Sequence, residues 1–364
     1  MSSPRRTNRR QFLTGQSAAH GLGDLLVPSD QPAVASAATE SSPEVYLLTL
    51  GRRAMACQFE VFLNAGQYAS AADAALEALD LVDRLEEQMT VFRDTSEISR
   101  LNRFAADGPV EVESRLFQLL LRAARLHHET EGAFDITSGP LTKAWGFYRR
   151  AGAIPPEADV AEALGRVNSG ALEFDESAGT LRFSKPGVEL NLGAIGKGYA
   201  LDRMAEQMLG CGVEHFLLHG GQSSVLARGA CGPPSSGGWK VDLRHPLRPE
   251  RPIVEIRLRD RALGTSGAGT QFFRHGGRRY GHILDPRTGW PAEGIFSTTV
   301  VASTAADADA LATALYVLGP QRAREWCEEH PEVGLLMFVP GQSSAVELVT
   351  HGLTEEDWRL TGEL

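Results

Sequence analysis

Residues 281–289 read GHILDPRTG, and residues 308–313 read ADALAT. The first run predicts a strand that enters a turn, with His282 beside a loop punctuated by proline and glycine. The second run predicts the opening of a helix that places Asp309 and Thr313 four residues apart on one face. A carboxylate and a hydroxyl are hard oxygen ligands, suited to Mg²⁺ beside a phosphate. Together the two runs indicate phosphoryl-type chemistry rather than simple binding.

Each of these three residues also has a purely structural interpretation. His282 could be an ordinary turn histidine, as most of the ten histidines must be. Asp309, close to the predicted helix start, would interact favourably with the helix dipole. Thr313 could hydrogen-bond back to a carbonyl of the preceding turn. Spacing alone leaves both interpretations open.

The length and composition are typical of a globular protein with a net negative charge. The 364 residues are 42% hydrophobic and 23% charged, and the net charge is −10. This length allows one large domain or two smaller ones with a substantial core. The negative charge argues against general nucleic-acid binding, and no run of about 18 apolar residues predicts a transmembrane segment. The four cysteines are scattered and do not indicate a metal site or a disulfide framework.

The first 42 residues differ from the rest of the chain. Residues 8–13 (NRRQFL) resemble a twin-arginine export signal, and residues 35–37 (ASA) could be a cleavage site. The region between them is interrupted by charged residues, histidine and proline, so a disordered basic tail is the alternative. We therefore expect residues 1–42 to be such a signal or tail, and residues 43–364 to fold. With a functional signal the protein would be exported or periplasmic; with a degenerate one it would stay cytoplasmic.

Hydrophobic periodicity predicts helices early in the chain and strands late. Helical spacing recurs over residues 69–89, 96–102, 114–130, 158–167, 195–209, 306–318 and 320–329. Strand patterns cover 45–64 (a pair broken at 51–53), 172–174, 180–183, 216–218, 239–244, 253–259, 271–275, 278–284, 296–302, 333–339 and 345–350. Because short turns join most late strands, we expect an α+β fold, with a mixed or antiparallel sheet and helices packed on it.

Three further segments carry candidate ligand contacts. Residues 191–200 (NLGAIGKGYA) form a glycine-rich turn before a helix, where free N–H groups and Lys197 could meet a phosphate. Residues 131–141 (EGAFDITSGPL) contain Phe134, which could stack on a ring or belong to the core, and Asp135, which could bind or cap a turn. Residues 89–102 (MTVFRDTSEISRLN) form a loop that enters a helix.

The order and wording of these segments resemble the FAD:protein FMN transferase family, often called ApbE-like. The resemblance covers residues 55–319 and is strongest in SEISRLN, GAFDIT, GPL, WGF, GAIGKGYA, HILDPRTG and ADALATAL. It implies an α+β enzyme with layers related to the T-fold that binds FAD and Mg²⁺. Such enzymes transfer FMN from FAD to a Ser or Thr hydroxyl of a partner protein and release AMP.

Matched by position, the resemblance assigns roles to individual residues. Asp309 and Thr313 correspond to side-chain ligands of Mg²⁺, and Ala194 would offer its backbone oxygen. His282 corresponds to the family's proposed base. The residues that would line the FAD pocket are Met55, Phe92, Ala133, Phe134, Asp135, Asn191, Lys197 and Ile283.

The chain departs from the family pattern at several positions. Asn191 and Gln222 stand where the family usually has aspartate, and Phe92 stands where it has tyrosine. The two lost carboxylates leave open a non-catalytic FAD-binding protein. An FAD pyrophosphatase that gives FMN and AMP is a second alternative, because the same site could act on water and the acceptor is a separate protein. The acceptor protein is not identified by the sequence; by resemblance it would be a flavin-carrying subunit of a redox pump or another exported redox protein.

Overall fold

The computed structural model describes residues 45–149, 152–267, 269, 271–341 and 345–364, together with the backbone of a short strand at Leu26–Pro28. The twin-arginine motif and the candidate cleavage site lie outside the described residues. Within the described part of the chain, no helix is both long and apolar enough to cross a membrane.

Helices and strands alternate irregularly along the chain. The helices are α1 (Ala71–Met89), α2 (Glu97–Phe104), α3 (Ser114–Glu129), α4 (Gly139–Ala144), α5 (Glu157–Leu164), α6 (Gly196–Gly210) and α7 (Ala305–Glu329). The strands are β1 (Leu26–Pro28), β2 (Leu47–Ala54), β3 (Cys57–Asn64), β4 (Val110–Glu111), β5 (Leu172–Asp175), β6 (Thr180–Phe183), β7 (Phe216–Gly220), β8 (Ser224–Arg228), β9 (Trp239–His245), β10 (Arg248–Leu258), β11 (Ala262–Gly267), β12 (Phe272–His275), β13 (Arg278–Gly281), β14 (Ser297–Ala302), β15 (Gly334–Val339), β16 (Glu347–His351) and β17 (Trp358–Leu360).

An eight-stranded antiparallel sheet forms the centre, in the order β16-β15-β14-β11-β8-β7-β3-β2. Successive residues of a strand point to opposite faces. Thus Phe216 and Leu218 join the core under α1, α6 and α7, whereas Leu217 faces a second core shared with the β1-β9-β10-β17 sheet. The predicted α+β layered fold with an antiparallel sheet and packed helices is confirmed.

Two glycines let α7 lie directly against its neighbours. A Cβ atom on Gly264 of β11 would be 2.4 Å from the carbonyl oxygen of Ala308. A Cβ atom on Gly198 of α6 would be 2.0 Å from the carbonyl oxygen of Ala305. Real side chains cannot approach a backbone atom this closely. The first turns of α7 are therefore fixed against both α6 and the centre of the sheet.

The structure corrects several predicted boundaries. The break predicted at 51–53 lies inside β2, where Arg52 pairs with Asp83 of α1 at 2.8 Å. The turn instead falls at Met55 and Ala56, both with positive φ (48° and 60°). The strand predicted at 278–284 ends at Gly281. By contrast, the predicted break between helices 306–318 and 320–329 is present within α7, at Gly319, whose φ and ψ (83° and 168°) are not helical.

The central strands β8 and β11 were not predicted. Both are largely buried, and β11 (ALGTSG) contains an alanine and two glycines, residue types that are depleted in strands. Neighbouring strands on both sides of each supply the packing that overrides this preference.

Replacing Gly198 by alanine should lower the free energy of unfolding by about 1–3 kcal/mol, since the new methyl group overpacks the α6–α7 contact. Gly210→Ala is the matched control, because nothing lies within 4 Å of its Cβ position in the same helix. That variant should be as stable as the wild type or more stable, by about 0.5–1 kcal/mol. Urea denaturation measures both; equal effects would contradict the close packing described here.

Candidate active site

A cavity of about 690 Å³ lies where the central sheet meets α6 and α7. Its wall is formed by Ala56, Cys57, Val91, Phe92, Phe134, Asp135, Ser138, Thr142, Phe147, Tyr148, Asn191, Gly193, Ala194, Lys197, Gly221, Gln222, Ser223, Thr265, Ser266, Gly267, Gln271, His282, Ile283, Leu284, Asp309 and Thr313. Ten of the twelve residues singled out from the sequence are among them. The other two, Met55 and Ala133, are not.

The Asp309 carboxylate is buried and joins three elements. Its Oδ1 accepts a hydrogen bond from the Ser224 hydroxyl of β8 at 2.6 Å. Its Oδ2 accepts one from the backbone N–H of Gly198 at 2.8 Å and lies 3.8 Å from the Lys197 ammonium. Because α7 begins at Ala305, Asp309 lies in the second turn. The interpretation of Asp309 as a helix-start residue is therefore wrong.

Burial shifts the protonation equilibrium of Asp309. Desolvation raises its pKa above the ordinary value, although Lys197, Ser224 and Gly198 act in the opposite direction. A buried carboxylate held mainly by neutral donors is costly unless a cation lies close to it. The position is thus suited to a carboxylate that binds a metal ion.

Two further residues that could offer an oxygen ligand to a metal ion line the same cavity. Thr313 Oγ1 lies 2.9 Å from Ser266 Oγ and 3.3 Å from the Asp309 carbonyl oxygen, so the predicted back-bond is present together with a second partner. Ala194 lies in the turn before α6 and is partly exposed to the cavity.

This set of oxygen ligands is suited to a metal ion that prefers oxygen. Among the described residues, no group of three or more His, Cys, Asp or Glu side chains could hold a metal. One carboxylate, one hydroxyl and one carbonyl fit Mg²⁺, which keeps several waters and binds substrate phosphates, better than Zn²⁺.

His282 is held in one orientation at the cavity wall. Its Nδ1 donates to the carbonyl oxygen of Gln271 at 3.1 Å, and its backbone N–H bonds to the same oxygen at 3.1 Å. Desolvation lowers the pKa of His282 and nearby Lys197 lowers it further, against the bond to Gln271. The neutral ring then carries its lone pair on Nε2, the form a general base requires.

Asp135 lines the cavity, but its oxygens are bonded within the protein. They accept from Thr137 N at 2.6 Å, from Ser169 Oγ at 2.7 Å and from His127 Nδ1 at 3.1 Å. Burial acts to raise the pKa of Asp135, yet these bonds outweigh it and the pKa is lowered. Its contacts support the turn-capping interpretation.

The mouth of the cavity is aromatic. The side chain of Phe92 is 72% exposed and meets the ring of Tyr148 edge-on, with centroids 5.5 Å apart. Below them, Asn191 accepts a hydrogen bond from Gly193 N at 2.9 Å. The amide therefore organises the turn before α6 without a negative charge. Phe134 also lines the cavity, although it is almost fully buried.

Met55 and Ala133 support the site from outside its wall. The Met55 N–H donates to Glu86 Oε2 at 2.9 Å and so fixes the turn that carries the cavity residue Ala56. Ala133 is 1% exposed and belongs to the main core beside Phe134. Short sequence motifs indicate that such residues lie near a site. They do not show which residues line the cavity and which only support the lining residues.

The residues that hold Asp309, Thr313 and His282 in place were not predicted from the sequence. Ser224 holds Asp309, Ser266 contacts Thr313, and Gln271 orients His282. Ser224 and Asp309 are separated by 85 residues in the chain. Serine and glutamine are common residues, so neither stands out in the sequence. Ser224 meets Asp309 only because β8 pairs with β11 beside α7.

Two proteins that are similar to this chain carry the same name. The FAD:protein FMN transferase of Haemophilus influenzae is 28% identical over 325 residues, which cover 85% of this chain and 93% of that protein. The FAD:protein FMN transferase of Treponema pallidum is 33% identical over 281 residues, which cover 73% of this chain and 77% of that protein.

Solved structures agree with these relatives. The flavin transferase ApbE from Vibrio cholerae aligns with a TM-score of 0.74 at 26% identity, over 85% of this chain and 98% of its own. The ApbE protein from Thermotoga maritima also gives 0.74, at 28% identity, over 83% and 96%. Residues 55–337 match the ApbE family. Because this match includes every residue of the cavity wall, the resemblance is confirmed, and the chain belongs to the ApbE family.

Proposed function

We propose that this protein transfers FMN from FAD to a Ser or Thr hydroxyl of an acceptor protein, with Mg²⁺ as cofactor and AMP as the second product. Family membership and the names of the relatives support the reaction class. The observation that carries the proposal is that Asp309, Lys197 and His282 share one cavity. Its volume of about 690 Å³ is in the range of ligand sites.

The residues of the cavity support the following chemistry. Mg²⁺, held by Asp309, Thr313 and the Ala194 carbonyl, would neutralise charge on the FAD diphosphate. Lys197 supplies a further positive charge beside the same group. The acceptor oxygen forms a bond to the FMN phosphorus, while the bond from that phosphorus to the bridging oxygen breaks and AMP leaves with the electron pair. His282 Nε2 takes the hydroxyl proton.

Two other activities would use the same site. Water in place of the acceptor hydroxyl would give FMN and AMP, and a protein that binds FAD without turnover would be a carrier. Incubation with FAD, Mg²⁺ and a candidate acceptor separates the three. A flavin-fluorescent acceptor on a denaturing gel supports transfer, AMP without acceptor supports hydrolysis, and a yellow protein without AMP supports the carrier.

Localisation belongs to the same proposal. We propose that the twin-arginine motif exports the folded protein, which would then act on exported redox proteins. This rests on the sequence of residues 8–13 alone.

Asp309→Asn should reduce Mg²⁺-dependent FAD turnover by more than about 100-fold, because the metal would supply several kcal/mol of charge stabilisation. It should also lower the free energy of unfolding by about 1–3 kcal/mol. The Ser224 hydroxyl and the Gly198 N–H both donate to the carboxylate, and one of them would face the amide NH₂ group of asparagine instead. Calorimetric titration of Mg²⁺ with FAD present measures the metal affinity directly. Asp307→Asn is the control: it removes only a partly exposed pair with Arg122. Equal metal affinity in the two variants would exclude Asp309 as a ligand.

His282→Ala should slow turnover by about 10²–10⁴-fold while FAD affinity changes much less, as expected for a general base. In the wild type the rate should rise with pH through a midpoint below 6.5, because the active form is unprotonated and the pKa is lowered. This acidic limb should disappear in the variant. His351→Ala, at the edge strand β16, should leave the profile unchanged. Parallel loss of FAD binding and rate would instead assign His282 a binding role.

Arg9→Lys combined with Arg10→Lys should trap the precursor in the cytoplasm of a bacterial host, because twin-arginine export requires the arginine pair. Arg5→Lys with Arg6→Lys changes the neighbouring pair outside the motif and should not block export. Cell fractionation followed by immunoblotting measures both. Unchanged export of the first variant would contradict the assignment.

A further inference from the structure

The helices α6 and α7 exchange hydrogen bonds through two carboxylates. Asp202, in the second turn of α6, accepts the N–H of Ala305 at 2.8 Å on Oδ1 and the N–H of Ala306 at 2.9 Å on Oδ2. In the opposite direction, Asp309 of α7 accepts the N–H of Gly198 at 2.8 Å. Each helix therefore carries a carboxylate that is bonded to the first turn of the other helix.

The spacing of donor and acceptor is the same in both helices. Asp202 follows Gly198 by four residues, and Asp309 follows Ala305 by four residues. Residues four apart lie on one face of a helix, so both contacts can form at once between two facing helices. A Cβ atom on Gly198 would be 2.0 Å from the Ala305 carbonyl oxygen, which places this pair at the closest approach. Asp202 thus belongs to the same contact between α6 and α7 that orients Asp309.

The first turn of α7 is capped from two directions. The first four N–H groups of a helix have no partner within it. Thr304, the residue before α7, accepts the N–H of Asp307 at 3.1 Å through Oγ1. Asp202 accepts the N–H groups of Ala305 and Ala306 from outside the helix. Thr304 therefore caps α7 locally, whereas Asp202 also ties the start of α7 to α6.

The Asp202 carboxylate is held in a place where its charge is costly. Burial raises the pKa of Asp202 to about 7, although the N–H bonds from Ala305 and Ala306 act in the opposite direction. A carboxylate with little access to water is unfavourable unless hydrogen-bond donors are directed at it. The positive end of the α7 dipole supplies such donors. The position of the carboxylate and the position of the helix start therefore depend on each other.

We propose that Asp202 is a positioning residue for the metal site, which fixes the start of α7 on α6 so that Asp309 keeps the placement that metal binding requires. Asp202 is not among the residues of the cavity wall, so it would act through Asp309 and not on the substrate. The inference rests on the proposed function, because Asp309 is a proposed metal ligand. Residues that orient metal ligands change metal affinity by about 10–100-fold when they are replaced.

The variant Asp202→Asn tests the inference through metal affinity, measured apart from turnover. An amide offers one oxygen, so one of the N–H groups of Ala305 and Ala306 would face the NH₂ group of asparagine. The start of α7 should then shift on α6, and Asp309 with it. Electron paramagnetic resonance measures free Mn²⁺ during titration of the full-length, FAD-loaded protein. The Mn²⁺ affinity of this variant should be about 10–100-fold weaker than that of the wild type.

Thr304→Ala is the matched control at the same helix end. It removes the local cap and should lower the melting temperature, as Asp202→Asn should. Because the bonds between Asp202 and α7 remain, the Mn²⁺ affinity of Thr304→Ala should equal that of the wild type. A purely structural role of Asp202 predicts instead that both variants lose stability and that neither loses metal affinity.

Gly198→Ala provides a second test that leaves both carboxylates in place. Its methyl group would separate α6 from α7, so the Mn²⁺ affinity should again fall, whereas Gly210→Ala in the same helix should keep the wild-type affinity. Circular dichroism shows whether each variant is folded. If Asp202→Asn does not fold, the comparison of the two glycine variants decides.

Three results would overturn the positioning role. These are wild-type Mn²⁺ affinity in folded Asp202→Asn, an equal loss of affinity in Thr304→Ala, and wild-type affinity in folded Gly198→Ala. In each of these cases the wild type still binds Mn²⁺, so the proposed function is unaffected. A wild-type protein that binds no Mn²⁺ in the presence of FAD would instead defeat the proposed metal site and the positioning role together.

Discussion

The structure depends most on one buried carboxylate, that of Asp309. It accepts hydrogen bonds from β8 and from the start of α6 while belonging to α7. Three elements that are distant in sequence therefore meet at one charged group. Charged groups are rarely buried in this way without compensation. The same atoms that hold the layers together thus form the site at which we propose that a divalent cation binds.

Close backbone packing makes this meeting possible. The glycines at 198 and 264 let α7 contact α6 and β11 without intervening side chains. As a result, Asp309 and Thr313 face a cavity whose other wall holds His282. The hairpin before His282 also fixes its ring, through the Gln271 carbonyl. The proposed metal ligands and the candidate base are in this way coupled to the packing of a single helix on the sheet.

Local patterns predicted the helices and most outer strands, because amphipathic periodicity records which side of an element is buried. They failed at β8 and β11, whose sequences (SVLAR and ALGTSG) do not alternate apolar and polar residues, and at the turn at Met55 and Ala56, which lacks glycine. The candidate site came from short motifs, and ten of the twelve residues that they indicated line one cavity. Positioning residues such as Ser224 and Ser266 carry no local signal, since their role arises from contacts between distant segments.

The most direct measurement is anomalous diffraction from crystals grown with FAD and Mn²⁺, a spectroscopic substitute for Mg²⁺ with similar oxygen ligands. We expect one strong peak within bonding distance of Asp309, Thr313 and the Ala194 carbonyl, in contact with the FAD diphosphate. A diphosphate bound in the cavity with no peak at Asp309, or a peak on other residues, would contradict it.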